Sequence, residues 1–346
     1  MSTWVGLLRG DPLPWLLDGA APAVRHLALR DLLGRTAADP DLAEARRDAM
    51  SAQPIAGILA RQEPEGWWVK PGPGYSPKYT GTVWQVMFLE QMGADGSDPR
   101  VARACDYVLS HAQTAGGGFG ASGAAAAASP PPSSALTCLN GNLLRALIGL
   151  GRLEDERVGR AIAWQAGAIT GEDVTFHRSG ISGPGFCCAA NEHLPCGWAA
   201  VKAVLGLAAI PEERRSDHVR RALVAGVEFL LGCDPSTAAY PMGWGNTKPS
   251  GSWFRLGFPS GYVADVLQTM EAACAAGLAA DPRLDHAVDW LLCQQDEQGR
   301  WANRYAYQGK LIADIDRPGV PSRWVTLRAC RVLKAVAEAR SRPAAS

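Results

Sequence analysis

Gly197-Trp198-Ala199-Ala200-Val201-Lys202-Ala203-Val204-Leu205-Gly206-Leu207 carries small or apolar residues on nearly every face of a helix. A helix with no polar side has none to give to water, so it is expected to be buried among other helices. The same character recurs over 24–35, 80–93, 139–151, 260–278 and 322–340, which with 196–209 makes six inner helices. Between them run segments that are more charged and apolar on one side only: 42–61, 99–113, 156–169, 216–232 and 283–295. Four of these open on Asp98-Pro99, Asp155-Glu156, Ser216-Asp217 and Asp281-Pro282. An Asp or Ser cap, with proline at the first helical position, marks a helix start. These starts recur about every 60 residues, the mark of an internal repeat. A sixth outer helix is expected over 4–16, shortened by Pro12 and Pro14.

Alternation of inner and outer helices, with few strand signals, predicts an all-α fold: a closed α/α toroid with six inner and five to six outer helices, one domain over 1–346. Inner-to-outer links are short. Outer-to-inner links are long, at 67–79, 114–137, 170–195, 233–259 and 296–321, and must emerge at one rim where the inner helices begin. That rim collects helix N-termini and suits anions, and function concentrates on such loops. The Ala/Pro/Ser stretch 121–134 is low-complexity and reads as a loop tip; 342–346 reads as a disordered tail.

The bulk numbers narrow the partners. Lys+Arg and Asp+Glu are equal at 34 each, so no global field favours nucleic acid or an anionic membrane. No apolar run is long enough to span a bilayer. The start, Met1-Ser2-Thr3-Trp4, lacks a secretory pattern, so a cytoplasmic, reducing setting is expected, with the nine cysteines as free thiols, ligands or core residues. Twelve tryptophans against seven phenylalanines suggest aromatic packing around something larger than an ordinary core.

Gln62-x3-Gly66-Trp67 and Gln295-x3-Gly299-x-Trp301, with a looser copy in Gln113 and Gly116-Gly117-Gly118-Phe119, resemble the QW-type repeats of squalene–hopene cyclases. Nearly the whole chain resembles the terpenoid cyclase and protein prenyltransferase superfamily, and within it the small bacterial squalene-cyclase-like proteins, through Trp68 to Tyr79, Cys138-Leu139-Asn140-Gly141-Asn142-Leu143 and Ser322-Arg323-Trp324. The resemblance implies a toroid in which the glutamine and the Gly-x-Trp tie neighbouring repeats together. It implies less about the reaction, since toroids host unrelated chemistries. The Asp-x-Asp-Asp acid of class II cyclases has only Asp314-Ile315-Asp316-Arg317 as a counterpart, and the magnesium-binding Asp-Asp-x-x-Asp of class I is absent.

Four sets of residues are candidates for chemistry. Cys138 and Cys196 begin adjacent inner helices and Cys188 lies in the loop between them, so with His177, His193 or Cys187 they could hold zinc, which favours thiolate and imidazole. The expected metal set is Cys138, Cys188, Cys196 and His177; the bland alternative is that the thiols are small buried hydrophobes. Lys70, Tyr75, Lys78 and Tyr79, on a Pro/Gly-stiffened loop, together with Arg255, Lys310 and Arg323, could grip a phosphate or carboxylate. Trp253 and Trp324 could line an apolar pocket and stabilise a carbocation, whereas Trp67 and Trp301 are expected to pack between repeats. Asp314 and Asp316 are the candidate catalytic acids, or simply turn residues before Pro318-Gly319.

The combined expectation is a zinc-dependent cyclase or transferase acting on a small hydrophobic or isoprenoid-like substrate with an anionic group. The alternatives are a metal-free cyclase-like enzyme with an Asp acid, and a non-catalytic binding toroid. Substrate identity and oligomeric state are not legible.

Overall fold

A computed structural model describes residues 4–122, 129–177 and 180–342; the centre of the low-complexity stretch and the tail from 343 lie outside the described residues. Thirteen α-helices are present among them: α1 (Leu13–Leu17), α2 (Pro22–Asp31), α3 (Pro40–Ser51), α4 (Ile55–Leu59), α5 (Thr82–Gln91), α6 (Pro99–His111), α7 (Thr137–Gly149), α8 (Glu156–Thr170), α9 (Gly197–Ala208), α10 (Asp217–Leu231), α11 (Val266–Ala275), α12 (Asp285–Cys293) and α13 (Arg323–Ser341). Extended pairing among the described residues is confined to isolated bridges.

The inner ring is α2, α5, α7, α9, α11 and α13. Helix α5 packs on α7, α7 on α9, α9 on α11, α11 on α13, and α13 returns to α2. Closure is completed just beyond α5, where Gly93 lies so close to α2 that an added Cβ would reach Leu27 Cδ2 at 2.7 Å. The chain is a closed α/α toroid. Outer helices α6, α8 and α10 are one-sided and start on Asp98, Asp155 and Ser216, whose side chains accept the amides of Arg100, Arg157 and Val219. Each such cap satisfies an orphan amide of the first turn.

Three element boundaries differ from expectation for local reasons. The segment 42–61 splits into α3 and α4 around Pro54, which has no amide hydrogen to continue a helical ladder. Residues 4–16 give a single 3-10 turn at Val5–Leu7 and the short α1. Helix α11 begins at Val266, where Asp265 accepts the Gln268 amide at 2.7 Å.

Three turns that follow outer helices share one construction. Gln62 Nε2 donates to Gly66 O (3.3 Å) and to Arg100 O at the start of the next outer helix (2.9 Å). Gln113 Nε2 does the same to Gly117 O and Arg157 O, at 2.8 and 2.7 Å. Gln295 Oε1 accepts from Arg9 N at 2.9 Å, tying the last repeat to the N-terminal segment. Four residues after each glutamine stands a glycine at positive φ: Gly66 (104°), Gly117 (95°) and Gly299 (71°). A side chain there would be strained in φ and would strike the neighbouring backbone, for example Gly10 O at 2.2 Å from a Cβ on Gly299. Six residues after each glutamine comes a fully buried ring: Trp68, Phe119 or Trp301, each 0% exposed. Their amides donate to first-turn side chains of the following inner helix, Thr82, Asn140 and Thr326. The two indoles also reach back ten residues, to Ile58 O and Leu291 O, both at 2.8 Å. Trp68, not the expected Trp67, therefore holds the sealed position, because Gly-x-Trp spacing and not Gly-Trp sets the register.

Polar side chains cross the middle of the ring. Lys202 of α9 is buried and donates to Gln268 of α11. Arg328 of α13 pairs with Glu271 at 2.8 Å and Asp265 at 3.3 Å. Above this layer, at the inner-helix N-termini, lies a cavity of about 430 Å³ that includes Cys138 and Ala199 in its wall. Below it a second, of about 540 Å³, is bounded by Arg145, Leu205 and Ala208.

Candidate functional site: an aromatic cavity at the inner-helix N-termini

The upper cavity is built where α7 and α9 begin and where the loops after α8 and α10 fold over them. Helix α7 has Leu136 at its cap position, with no side-chain oxygen to accept its free amides; Ser182 Oγ instead accepts from Thr137 N at 3.0 Å. Helix α9 has Cys196 at its cap position, with no side-chain hydrogen bond to its first amides. Gly197 follows. A Cβ there would meet the Tyr240 ring at 2.7 Å and Trp253 at 3.1 Å, so the missing side chain lets both rings lie on the helix start.

The wall is aromatic. Tyr240 and Trp253 have ring centroids 4.8 Å apart, Trp198 lies 6.4 Å from Trp253, and Tyr262 lies 6.3 Å from Trp198. Lys78 Nζ stands 5.0 Å over the Tyr262 ring at the mouth, and Tyr75 lines the same space. Trp244, 70% exposed, sits at the opening, its amide donating to Glu192 at 2.7 Å. Two buried polar atoms on the lining residues have no hydrogen-bond partner among the described residues: Thr137 Oγ1 and Trp198 Nε1. A buried donor or acceptor left unpaired costs about 1–3 kcal/mol, and neither atom is open to a water-sized solute.

Three cysteines reach this cavity. Cys138, Cys188 and Cys196 all line it. The Cys188 thiol is pulled below the ordinary range by the hydrogen bond from Cys196, reinforced by the amides of Ala190 and Asn191 and the nearby His193, against the opposing effect of burial. Cys196 is pushed up by donating that bond and by burial, and burial pushes Cys138 up to about 11.

The expected metal set is only partly brought together. His177 is exposed and does not line the cavity. Among the described residues no group of three or more His, Cys, Asp or Glu stands close enough to hold a metal ion. The side chains in place are three thiols on one wall, without the convergence that tetrahedral zinc needs.

The other expected residues separate. Tyr75, Lys78 and Trp253 line the cavity. Tyr79 stands behind it, stacked on Tyr307 at 4.2 Å. Lys70 is exposed and outside the lining. Arg323 is held away by Asp18 at 2.8 Å and lies over the Trp15 ring at 4.6 Å. Trp324 is buried against Phe258, rings parallel at 4.4 Å. Asp314 is exposed on a separate cleft. Asp316 accepts from Asn303 Nδ2 at 2.9 Å and from Ser322, and burial raises its pKa; neither aspartate faces the aromatic cavity. The placement of Arg323 and Trp324 follows from one fact: they open α13, whose start packs on the N-terminal segment and not on the rim cavity.

Tyr240 and Tyr262 are wall residues that sequence reasoning did not single out. Tyr240 had a readable signal. Its hydroxyl donates to Leu230 O at 3.1 Å, ten residues back, the spacing by which Trp68 and Trp301 reach Ile58 and Leu291. Tyr262 has no such mark.

No family model matches the sequence, and no curated protein matches it. Among solved structures, a variant of the type II terpene cyclase MstE from Scytonema, in complex with its substrate geranylgeranyl dihydroxybenzoate, is similar over 83% of this chain and 95% of its own, with 14% identity and a TM-score of 0.39. The apo form of MstE is similar over 82% and 96%, at 15% identity and a TM-score of 0.33. A protein from Actinoplanes is similar over 85% and 99%, at 16% identity and a TM-score of 0.32.

Proposed function

We propose that this toroid, terpene-cyclase-like in its stitched repeats, is an enzyme of the cyclase or transferase kind whose aromatic cavity takes a small isoprenoid-like substrate with an anionic group. One observation carries the reading: a cavity at the inner-helix N-termini lined by Trp198, Tyr240, Trp253 and Tyr262, with Tyr75 and Lys78 beside them. The cavity is in the size range of small-molecule sites. Trp198, Tyr240, Trp253 and Tyr262 present ring faces that stabilise positive charge developing on a hydrocarbon. Lys78 at the mouth and the uncapped first turn of α7 supply attraction for the anionic end. No Asp or Glu is among the described residues of the wall, so the thiols of Cys138, Cys188 and Cys196 and the phenols of Tyr75, Tyr240 and Tyr262 are its candidate proton donors and acceptors.

The test is a titration of the native protein with prenyl diphosphates of increasing length and with the matching alcohols, followed by tryptophan emission. Saturable quenching is expected, tighter for diphosphates, with Lys78→Ala narrowing the gap and Trp253→Ala weakening both series. Absence of saturable binding at any length, or equal binding by wild type and Trp253→Ala, would overturn the reading.

Zinc is a second reading, supported by the three thiols of one wall and opposed by their failure to converge. Tag-free protein is expected to contain zinc well below one per chain by elemental analysis. Stoichiometric zinc that disappears in Cys188→Ala would instead mean that the thiols draw together around it.

A further inference from the structure

The lower cavity lies at the end of the ring opposite the aromatic one. Its wall holds the last residues of three inner helices, Gly149 of α7, Ala208 of α9 and Ala275 of α11. Gly149, Pro211 and Ala275 are exposed, so the cavity opens to solvent there. Ile148, Leu153, Leu205 and Val332 make the rest of the wall largely apolar, and Glu90, Arg145, Glu271 and Arg331 interrupt it. At about 540 Å³ the space is in the range of small-molecule sites.

The four charges are unequally satisfied. Glu271 is fully taken, since both of its oxygens accept from Arg328 at 2.8 Å. Arg328 is complete too, with Gly257 O and Asp265 as its other acceptors. Arg331 shares one carboxylate, Asp31, with Arg30. Burial holds the Arg331 guanidinium below its ordinary range; Asp31 opposes this, and the positive charges of Arg30 and Arg145 add to it. Arg145 has least. Its acidic neighbour is Glu90, whose Oε2 stands 3.5 Å from Nε, and among the described residues its guanidinium makes no hydrogen bond. The side chain is 28% exposed, so its donors are within reach of a guest. An apolar wall is thus joined to a planar fork of unused donors, the arrangement that receives a carboxylate side-on.

We propose that the lower cavity is a second ligand site, taking a small monocarboxylic acid with an apolar body whose carboxylate docks on Arg145. The apolar wall covers the body, and Arg331 adds to the positive field. One negative charge fits better than two: the wall also holds Glu90, and the carbonyl ends of α7, α9 and α11 carry partial negative charge. Lys202 and Gln268 stand between the two cavities, so both can be filled at once. The site is independent of the aromatic cavity and of the substrate read for it.

The experiment titrates native full-length protein calorimetrically with decanoate, decyl phosphate, decanol and inorganic phosphate, and maps cysteine alkylation with and without each. Cys274 lines the lower cavity, and Cys138, Cys188 and Cys196 line the upper, so protection reports which cavity fills. Decanoate is expected to bind saturably and to slow alkylation of Cys274 while leaving the other three unchanged. Decanol should bind about tenfold more weakly or worse, having lost a charge-assisted bond, decyl phosphate more weakly than decanoate, and inorganic phosphate not at all. Arg145→Met should bring decanoate down to the level of decanol. The assignment is overturned if decanoate does not saturate, if it spares Cys274 no more than the upper thiols, if decanol or decyl phosphate binds as tightly, or if Arg145→Met binds decanoate as wild type does. Should Arg145→Met fold poorly, the ligand series and the cysteine map on the wild type decide the matter.

Discussion

The turns after α4, α6 and α12 and those after α8 and α10 occupy equivalent places in the ring, yet they are built differently. The first three are closed by a glutamine, a glycine at positive φ and a buried ring, each bonded to the next helix pair. The last two lack the glutamine. After α10 a tyrosine, Tyr240, takes the ring's place, and its ring also faces the cavity. After α8 the chain turns at Gly171 (φ 82°) and runs into the cysteine hairpin. Where the repeat is kept, the rim is sealed. Where it decays, the freed loops wall a cavity and bring Cys188, Cys196, Tyr240, Trp244, Trp253 and Tyr262 to it.

The comparison breaks most sharply at Trp301. Trp301→Ala removes a buried indole and its bond to Leu291 O, and a loss of about 3–5 kcal/mol is expected by urea unfolding. Trp253→Ala, in the open half, should cost less than that while removing most ligand-induced quenching.

Lys202, beneath both kinds of turn, gives the next effect. Burial pushes its pKa from 10.5 down to about 7, so the folded state resists charging it. The penalty is complete below pH 7, shrinks as pH rises toward 10.5 and is gone above it. Lys202→Met should therefore be more stable than wild type at pH 6, by roughly 1–4 kcal/mol. The advantage should fade steadily to pH 10 in thermal melts.

Gln113→Ala leaves two carbonyls without their donor and should cost about 1–3 kcal/mol; an equal cost for alanine at an exposed residue such as Lys70 would deny the stitch its role. Smallest is Trp244→Ala at the cavity mouth, within about 0.5 kcal/mol of wild type in stability but altered in ligand association rate by stopped-flow fluorescence.

The toroid was legible because its signals are local and repeated. Apolar stretches such as 197–207 leave no face for water, and Asp98 and Asp155 cap helices wherever they fall. The cavity was legible in part. Cys138 and Cys196 were readable as helix starts, and helix starts share a rim. Distances across the rim were not readable, so His177 was grouped with thiols it does not approach. Arg323 and Trp324 look like rim residues in sequence, but α13 closes the ring against Asp18, Trp15 and Phe258, a long-range contact that no local pattern encodes. Asp316 was read as an acid or a turn residue; Asn303 and Ser322 hold it in the turn.

The polar layer through the ring's centre has a consequence for traffic. On α9, Ala199 borders the upper cavity and Leu205 the lower, so roughly 9 Å of helix, at about 1.5 Å per residue, separates them, with Lys202 and Gln268 bonded across the gap. The upper chamber is thus parted from the lower one along α9. A guest that enters past Trp244 and Lys78 and runs down α9 meets Lys202 and Gln268 as a floor, which sets a limit on the length it can thread in that direction.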